Sequence, residues 1–354
     1  MRIAHVNPDP GIAPGKKKGA VVHVEAMRRA FQTLGAEVLP LDLGEDKELF
    51  LRLQAEHQRA PIDLVYERHA LARFACAEFA ARAGVAHVIE VNAPLAEEEE
   101  RYRGGKNVGP EVERERAAFE QAALVLAVSN EVGRYSVGRG ARPERVLVRP
   151  HAVDPELFRP RGADDATRAR LVPEGRVALG FHGRLRPWHH FELFADAAAD
   201  LLARGRDVQL VLLGEGDFDS VWRGRVPAER VSSVAWLPHD EAARVVAAFD
   251  LLPLTYAPDA PCYFSPLKLL EAMACAAVPV VPALGDLEQA VAHGRDGLVY
   301  PAGQRAALVD ALDRLVLDPK LRAELGRGAR ARAERYSWRD VAREVLERTA
   351  GAAR

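Results

Sequence analysis

From residue 2 to residue 299, short apolar runs alternate with longer amphipathic stretches, and this alternation constrains the fold more than any other feature of the chain. Successive parallel strands must be joined by a crossover, usually a helix, so strand–helix alternation reads as parallel α/β sheet. Strands are expected at 2–6, 37–41, 63–66, 87–91, 124–128 and 145–149, then at 176–181, 209–213, 233–236, 251–254, 278–281 and 297–299. Helices are clearest at 20–34, 70–83, 111–121, 130–139, 191–203, 241–248 and 266–274. Residues 150–175, rich in Pro, Arg, Asp and Gly, read as a linker between two halves of similar plan. Only helices follow the last strand, at 304–316, 319–333 and 338–349. The 354 residues suffice for two domains of ordinary size.

Composition narrows the partners. A net charge of −2 supplies no drive for counterion release, so no nucleic-acid partner is expected. Cys76, Cys262 and Cys275 have neither metal-ligand spacing nor a disulfide pattern. The chain runs from Met1-Arg2 straight into a strand, and no apolar run is long enough to span a bilayer. The expected setting is therefore cytoplasmic and reducing.

In doubly wound sheets, ligands bind where loops leave the carboxyl ends of the strands. The most informative such stretch is Tyr263-Phe264-Ser265-Pro266-Leu267-Lys268-Leu269-Leu270-Glu271-Ala272-Met273-Ala274, a polar loop running into a helix. Unpaired N–H groups and the helix dipole make that start a seat for phosphate. Glu271, one turn further in, suits sugar hydroxyls better than an anion. The run from Ser265 to Ala274 resembles the donor-binding signature of family 4 glycosyltransferases. The resemblance implies the GT-B fold: two Rossmann-like domains facing each other across a cleft, with a C-terminal helix returning to the first domain. It places an acceptor domain at 1–160, joined by 337–354, and a nucleotide-sugar donor domain at 161–336.

The same resemblance assigns roles. Backbone groups at Ser265, Pro266 and Leu267, with Lys268, would hold the donor diphosphate, and Glu271 the ribose. The loop Gly183-Arg184-Leu185-Arg186-Pro187-Trp188-His189-His190 would stabilise the departing phosphate through Arg184 and His189. His189 stands where the family has lysine, and its charge would follow pH. Gly214, Glu215 and Leu237 lie in loops that flank the nucleotide. Gly15 to Gly19, with Lys18, resembles the glycine loop beside phosphates and acceptor; Lys16 to Lys18 would also allow weak contact with an anionic membrane face. Glu67 and Asn92, after strands three and four, are candidates for acceptor or sugar.

Other positions depart from the family pattern as well: Tyr263 replaces the first of two glutamates, and His190 and Ala276 replace glycines. No metal or other cofactor is expected, because cations and a helix dipole already face the phosphates; Asp217 and Asp219 read as a helix start, and a His189–His190 metal site lacks further ligands. The expected function is transfer of a sugar from a UDP or GDP donor to an unidentified acceptor with anomeric retention. An inert nucleotide-sugar-binding scaffold is the main alternative. A GT-B sugar-nucleotide epimerase would need an acid/base pair that the chain does not display, and an exported two-lobed receptor would need an export signal.

Overall fold

The computed structural model describes every residue except 10, 11, 13–18, 43, 72, 103–108, 163, 164, 261, 264, 266 and 352–354. Gly15, Lys18 and Pro266, among the expected site residues, lie outside the described set. The chain forms two compact units. The first comprises Met1–His151, Tyr263–Ser265 and Trp338–Arg354, the second Ala152–Cys262 and Pro266–Ser337. The chain thus passes between units at 151/152, where the sequence reading placed 160/161, and Tyr263 and Ser265 group with the first unit.

The first unit carries strands β1 (Arg2–Asn7), β2 (Glu37–Asp42), β3 (Leu64–Arg68), β4 (Ala86–Val91), β5 (Leu124–Ala127) and β6 (Val146–Val148). Its helices are α1 (Gly19–Thr33), α2 (Asp46–Arg59), α3 (Ala75–Ala83), α4 (Leu95–Tyr102), α5 (Gly109–Gln121) and α6 (Asn130–Gly138). The strands are parallel in the order β2-β1-β3-β4-β5-β6. The inner strand β4 is buried along its whole length, as a strand covered on both faces must be. The edge strand β2 is half-exposed and tolerates Pro40, whose missing N–H would weaken an inner ladder.

The second unit carries helices α7 (Ala166–Leu171), α8 (Phe191–Ala203), α9 (Asp219–Trp222), α10 (His239–Val246), α11 (Leu267–Ala274), α12 (Leu287–Ala290), α13 (Arg305–Leu317) and α14 (Pro319–Ala333). Its strands are β7 (Val177–Arg184), β8 (Val208–Glu215), β9 (Val231–Ala235), β10 (Leu251–Pro253), β11 (Val278–Pro282) and β12 (Leu298–Tyr300). Their order, β12-β11-β10-β7-β8-β9, is that of a doubly wound nucleotide-binding sheet, with the order reversing between β7 and β10. Leu179, Phe194, Leu201, Leu212, Leu312 and Leu325 anchor its core, each worth roughly 2 kcal/mol of burial. Gly180 on β7 admits the Phe249 ring so closely that an added Cβ would lie 2.1 Å from it.

The last helix, α15 (Trp338–Thr349), belongs to the first unit and packs along α1, as the resemblance implied. It buries Trp338, Val341, Ala342 and Val345, and Glu344 pairs with Arg149 at 2.7 Å. No helix of the described residues is long and apolar enough to cross a membrane.

Candidate functional site

The carboxyl ends of β7 and β8 and the start of α11 bring together most of the expected donor residues within the second unit. β7 and β8 run two to three residues beyond the expected ends, and their register sets Gly183 beside Gly214 and Arg184 beside Glu215. Gly214 has φ +141°, and a Cβ there would lie 2.0 Å from the Gly183 carbonyl oxygen, so only glycine lets the two strand ends meet. The register makes Arg184 and Glu215 an ion pair, with Nε donating to the carboxylate at 3.0 Å. Glu215, expected beside the nucleotide base, here orients Arg184.

α11 supplies the other half. Glu271 is buried and accepts from His239 Nε2 at 2.8 Å, while His182 Nδ1 lies 3.5 Å from its other oxygen. Burial would raise the pKa of Glu271, but the His239 hydrogen bond and the nearby His182, His239 and Lys268 outweigh it, and the carboxyl titrates below its ordinary value. Lys268 Nζ lies 4.4 Å from the centre of the Phe181 ring and 3.0 Å from His189 Nε2. Burial brings its pKa down to about 7, with Glu271 opposing the shift. A Cβ on Gly183 would be 3.9 Å from Nζ, so Lys268 reaches the end of β7.

His189 is not the pH-dependent cation the sequence suggested. It is 8% exposed, packed against Phe181 and Tyr256, and its Nδ1 accepts the Arg186 backbone N–H at 3.0 Å. Burial, followed by the charges of Lys268 and Arg186, pushes its pKa down to about 2, so the ring is neutral at working pH. Leu237 is half-buried just ahead of α10, the helix that supplies His239. Asp217 and Asp219 serve the start of α9: Asp217 accepts the Ser220 N–H at 3.0 Å, and Asp219 accepts from Trp222 Nε1 at 3.0 Å.

The first unit holds a separate polar network at the carboxyl ends of β3 and β4. Glu90, 2% exposed, accepts from Tyr66 Oη at 2.5 Å, His23 Nε2 at 2.8 Å, Asn92 Nδ2 at 2.6 Å and Arg68 Nη1 at 3.2 Å. Burial alone would raise its pKa; His23, Arg68 and Tyr66 together hold it well below the carboxylate range. Asn92 is thereby fixed, and its Oδ1 lies 2.9 Å from His151 Nε2. The His151 backbone N–H donates to Ser265 Oγ at 3.0 Å, and Nδ1 lies 2.7 Å from the Ser265 carbonyl oxygen. Gly19 opens α1, one turn before His23, whose ring meets Trp338 at 4.7 Å.

Glu67 falls elsewhere. Strand side chains alternate between faces, so Glu67 points away from its neighbours Tyr66 and Arg68 and forms a buried pair with His87 at 2.8 Å. Tyr263 also has partners in the first unit: Ser129 Oγ donates to its carbonyl oxygen at 2.6 Å, and its hydroxyl bonds Glu98 on α4. Among the described residues, His23, Glu90 and His151 are the one set spaced to hold a cation, with candidate ligand atoms within 4.8 Å of one another. Arg68 donates to the same Glu90 oxygen that meets His23, so the carboxylate is already neutralised by a guanidinium, and His189 and His190 are not part of the set. A cavity of about 580 Å³ in this unit opens at the opposite, amino ends of the strands, lined by Ala86, His87, Leu124 and Arg145 among others, and is remote from these groups along the sheet.

Comparison with known proteins follows the same lines. Residues 176–318, the greater part of the second unit, match the family described as glycosyl transferases group 1. The D-inositol 3-phosphate glycosyltransferase of Stackebrandtia nassauensis is 30% identical over 360 residues, covering 95% of this chain and 78% of that one. The chain belongs to the group 1, or family 4, glycosyltransferases. The enzyme of the same name from Frankia alni is 28% identical over 365 residues, covering 95% of this chain and 84% of the other. Among solved structures, Anabaena HepE in complex with UDP and glucose aligns with a TM-score of 0.73 at 20% identity, covering 99% of each chain. Sucrose-phosphate synthase from Thermosynechococcus elongatus aligns at 0.76 and 19%, covering 100% of each. Their likeness establishes the GT-B fold.

This glycosyltransferase therefore gathers Gly183, Arg184, His189, Gly214, Glu215, Lys268 and Glu271 about the end of β7 and the start of α11. Sequence reasoning missed His182 and His239 as holders of Glu271, and His23, Glu90 and His151 as the support of Asn92. Long-range pairs such as these leave no local pattern. Glu98, within the acidic run at 97–100, is half-buried and bonded by the Tyr263 hydroxyl.

Proposed function

We propose that the enzyme transfers a sugar from a nucleotide-diphosphate donor to an acceptor hydroxyl with retention at the anomeric carbon and without a metal ion. The observation that carries this reading is the convergence of Arg184, Lys268 and the start of α11 at the point where the strand order reverses in the second unit. Departure of the nucleotide builds negative charge on the diphosphate, and fixed cations with free helix N–H groups stabilise that charge. Glu271, held ionised, would accept the ribose hydroxyls. Gly183 and Gly214 would let the phosphates approach the backbone. Asn92, fixed by Glu90 and His151, would face the acceptor or the transferred sugar. Cys76 and Cys275 are buried thiols, in keeping with a reducing cytoplasmic setting.

The curated relatives name D-inositol 3-phosphate, and one solved neighbour is a complex with UDP and glucose. Those compounds open the test panel. UDP- and GDP-sugars are to be incubated with and without a polyol phosphate acceptor, reading nucleotide release and the anomeric coupling of the product. Turnover with a retained anomer, abolished in Arg184→Ala, is the expected result. Binding without turnover for every pair would instead favour an inert scaffold, a reading motivated by Tyr263 at the position of the family's first glutamate.

A further inference from the structure

The protons on His189 can be assigned from its two ring contacts. Nδ1 accepts the Arg186 backbone N–H at 3.0 Å, so a neutral ring carries its hydrogen on Nε2. That Nε2 lies 3.0 Å from Lys268 Nζ. An ammonium has three donors and no acceptor, so Nε2–H facing a protonated lysine would set donor against donor. The contact is a hydrogen bond only when Lys268 is a neutral amine that accepts Nε2–H.

The surroundings of Nζ agree with this protonation. The β7–α8 turn faces it with neutral His189 and with Arg186, which acts on that ring; β7 contributes His182, whose own pKa burial lowers, and the Phe181 ring. Tyr256, which follows β10, packs against His189 and keeps its hydroxyl protonated. Glu271 on α11 is the carboxylate acting on Lys268, and it is already bonded to His239 of α10. Burial outweighs Glu271 and brings the ammonium down to about pH 7.

We propose that Lys268 is the cation this enzyme uses in place of the family's loop lysine, and that it takes up one proton as the donor diphosphate binds. Before binding, Nζ accepts the His189 Nε2–H. On binding, one proton from the buffer bonds to the Nζ lone pair, that hydrogen bond breaks, and the ammonium turns to the phosphate oxygens. His189 stays neutral throughout and acts as a positioning residue. The proposal rests on the reading that the second unit binds a nucleotide diphosphate.

Isothermal titration of the full chain with UDP and with GDP tests it. Runs at pH 8.5, in buffers of differing ionisation enthalpy, count the protons taken up, since the terminal phosphate of the nucleotide is already ionised there. The wild type is expected to gain close to one proton per nucleotide bound. Its affinity should be full below pH 7 and fall about tenfold per pH unit above it. Lys268→Arg, a permanent cation, should bind with no uptake and a flat pH profile. Binding by the wild type with no proton uptake, or undiminished uptake in K268R, would overturn the proposal alone. Failure of both nucleotides to bind the wild type would overturn the donor reading and this proposal with it. The wild-type pH profile decides the matter even if a variant folds poorly.

Discussion

At the residue scale, two backbone positions carry a measurable strain. His190 and Ala276 have φ of 45° and 63°, the only non-glycine residues with positive φ among those described. Both stand where the family pattern has glycine. The left-handed conformation costs an L-residue about 1–2 kcal/mol, and glycine returns part of that as chain entropy. Ala276→Gly should therefore raise stability by about 0.5–1 kcal/mol in urea titration; a loss would contradict the strain argument. The ionisable groups give a second expectation. His5 in the first unit and His189 in the second have pKa values lowered by burial to about 3 and about 2. Unfolding lets each ring protonate below its ordinary value near 6.5, so stability is unaffected above that pH and falls progressively beneath it. At pH 5 each should cost roughly 2 kcal/mol. Thermal melts from pH 7.5 to 5 should show the decline, and His189→Gln should flatten it. A melting temperature that rises on acidification would count against both assignments.

At the scale of elements, close approach decides what substitutions the sheets tolerate. Gly180→Ala places a methyl 2.1 Å from the Phe249 ring, inside a core with no room to yield. The expected cost is about 1–3 kcal/mol, relieved when Phe249→Leu is added; a double-mutant cycle showing simple additivity would rule out the clash. The same closeness explains what could be read from the chain in advance. Every strand was legible, most clearly where burial on both faces leaves an unbroken apolar run, as in β5 and β11. α2 was not, because only Leu49 and Leu53 of its fourteen residues are buried and the rest reads as a polar connection. The ends of β7 and β8 were set too early because Gly183 and Gly214 look like loop residues, although they continue the ladder. That shortfall hid the Arg184–Glu215 pair, which exists because the register extends through both glycines. Motif likeness pointed to Arg184, Lys268 and Glu271, but it gave no hint that Lys268 reaches His189. That contact depends on how far α11 sits from the end of β7.

At the scale of the whole molecule, the chain of this glycosyltransferase forms two doubly wound units, and the groups proposed to bind phosphate lie where the strand order of the second reverses. On the proposed function Arg184 is a fixed charge that acts most strongly in the transition state, so Arg184→Ala should lower turnover on the order of a hundredfold while leaving the melting temperature nearly unchanged. Equal turnover would remove Arg184 from the reaction. The central claim is that the diphosphate docks at the start of α11 beside the end of β7. Amide hydrogen exchange on the full chain, with and without saturating UDP or GDP, addresses it most directly. The account predicts slowed exchange in the β7–α8 turn and the first turn of α11. Nucleotide binding that protects other segments and leaves residues 183–190 and 267–271 unchanged would contradict it.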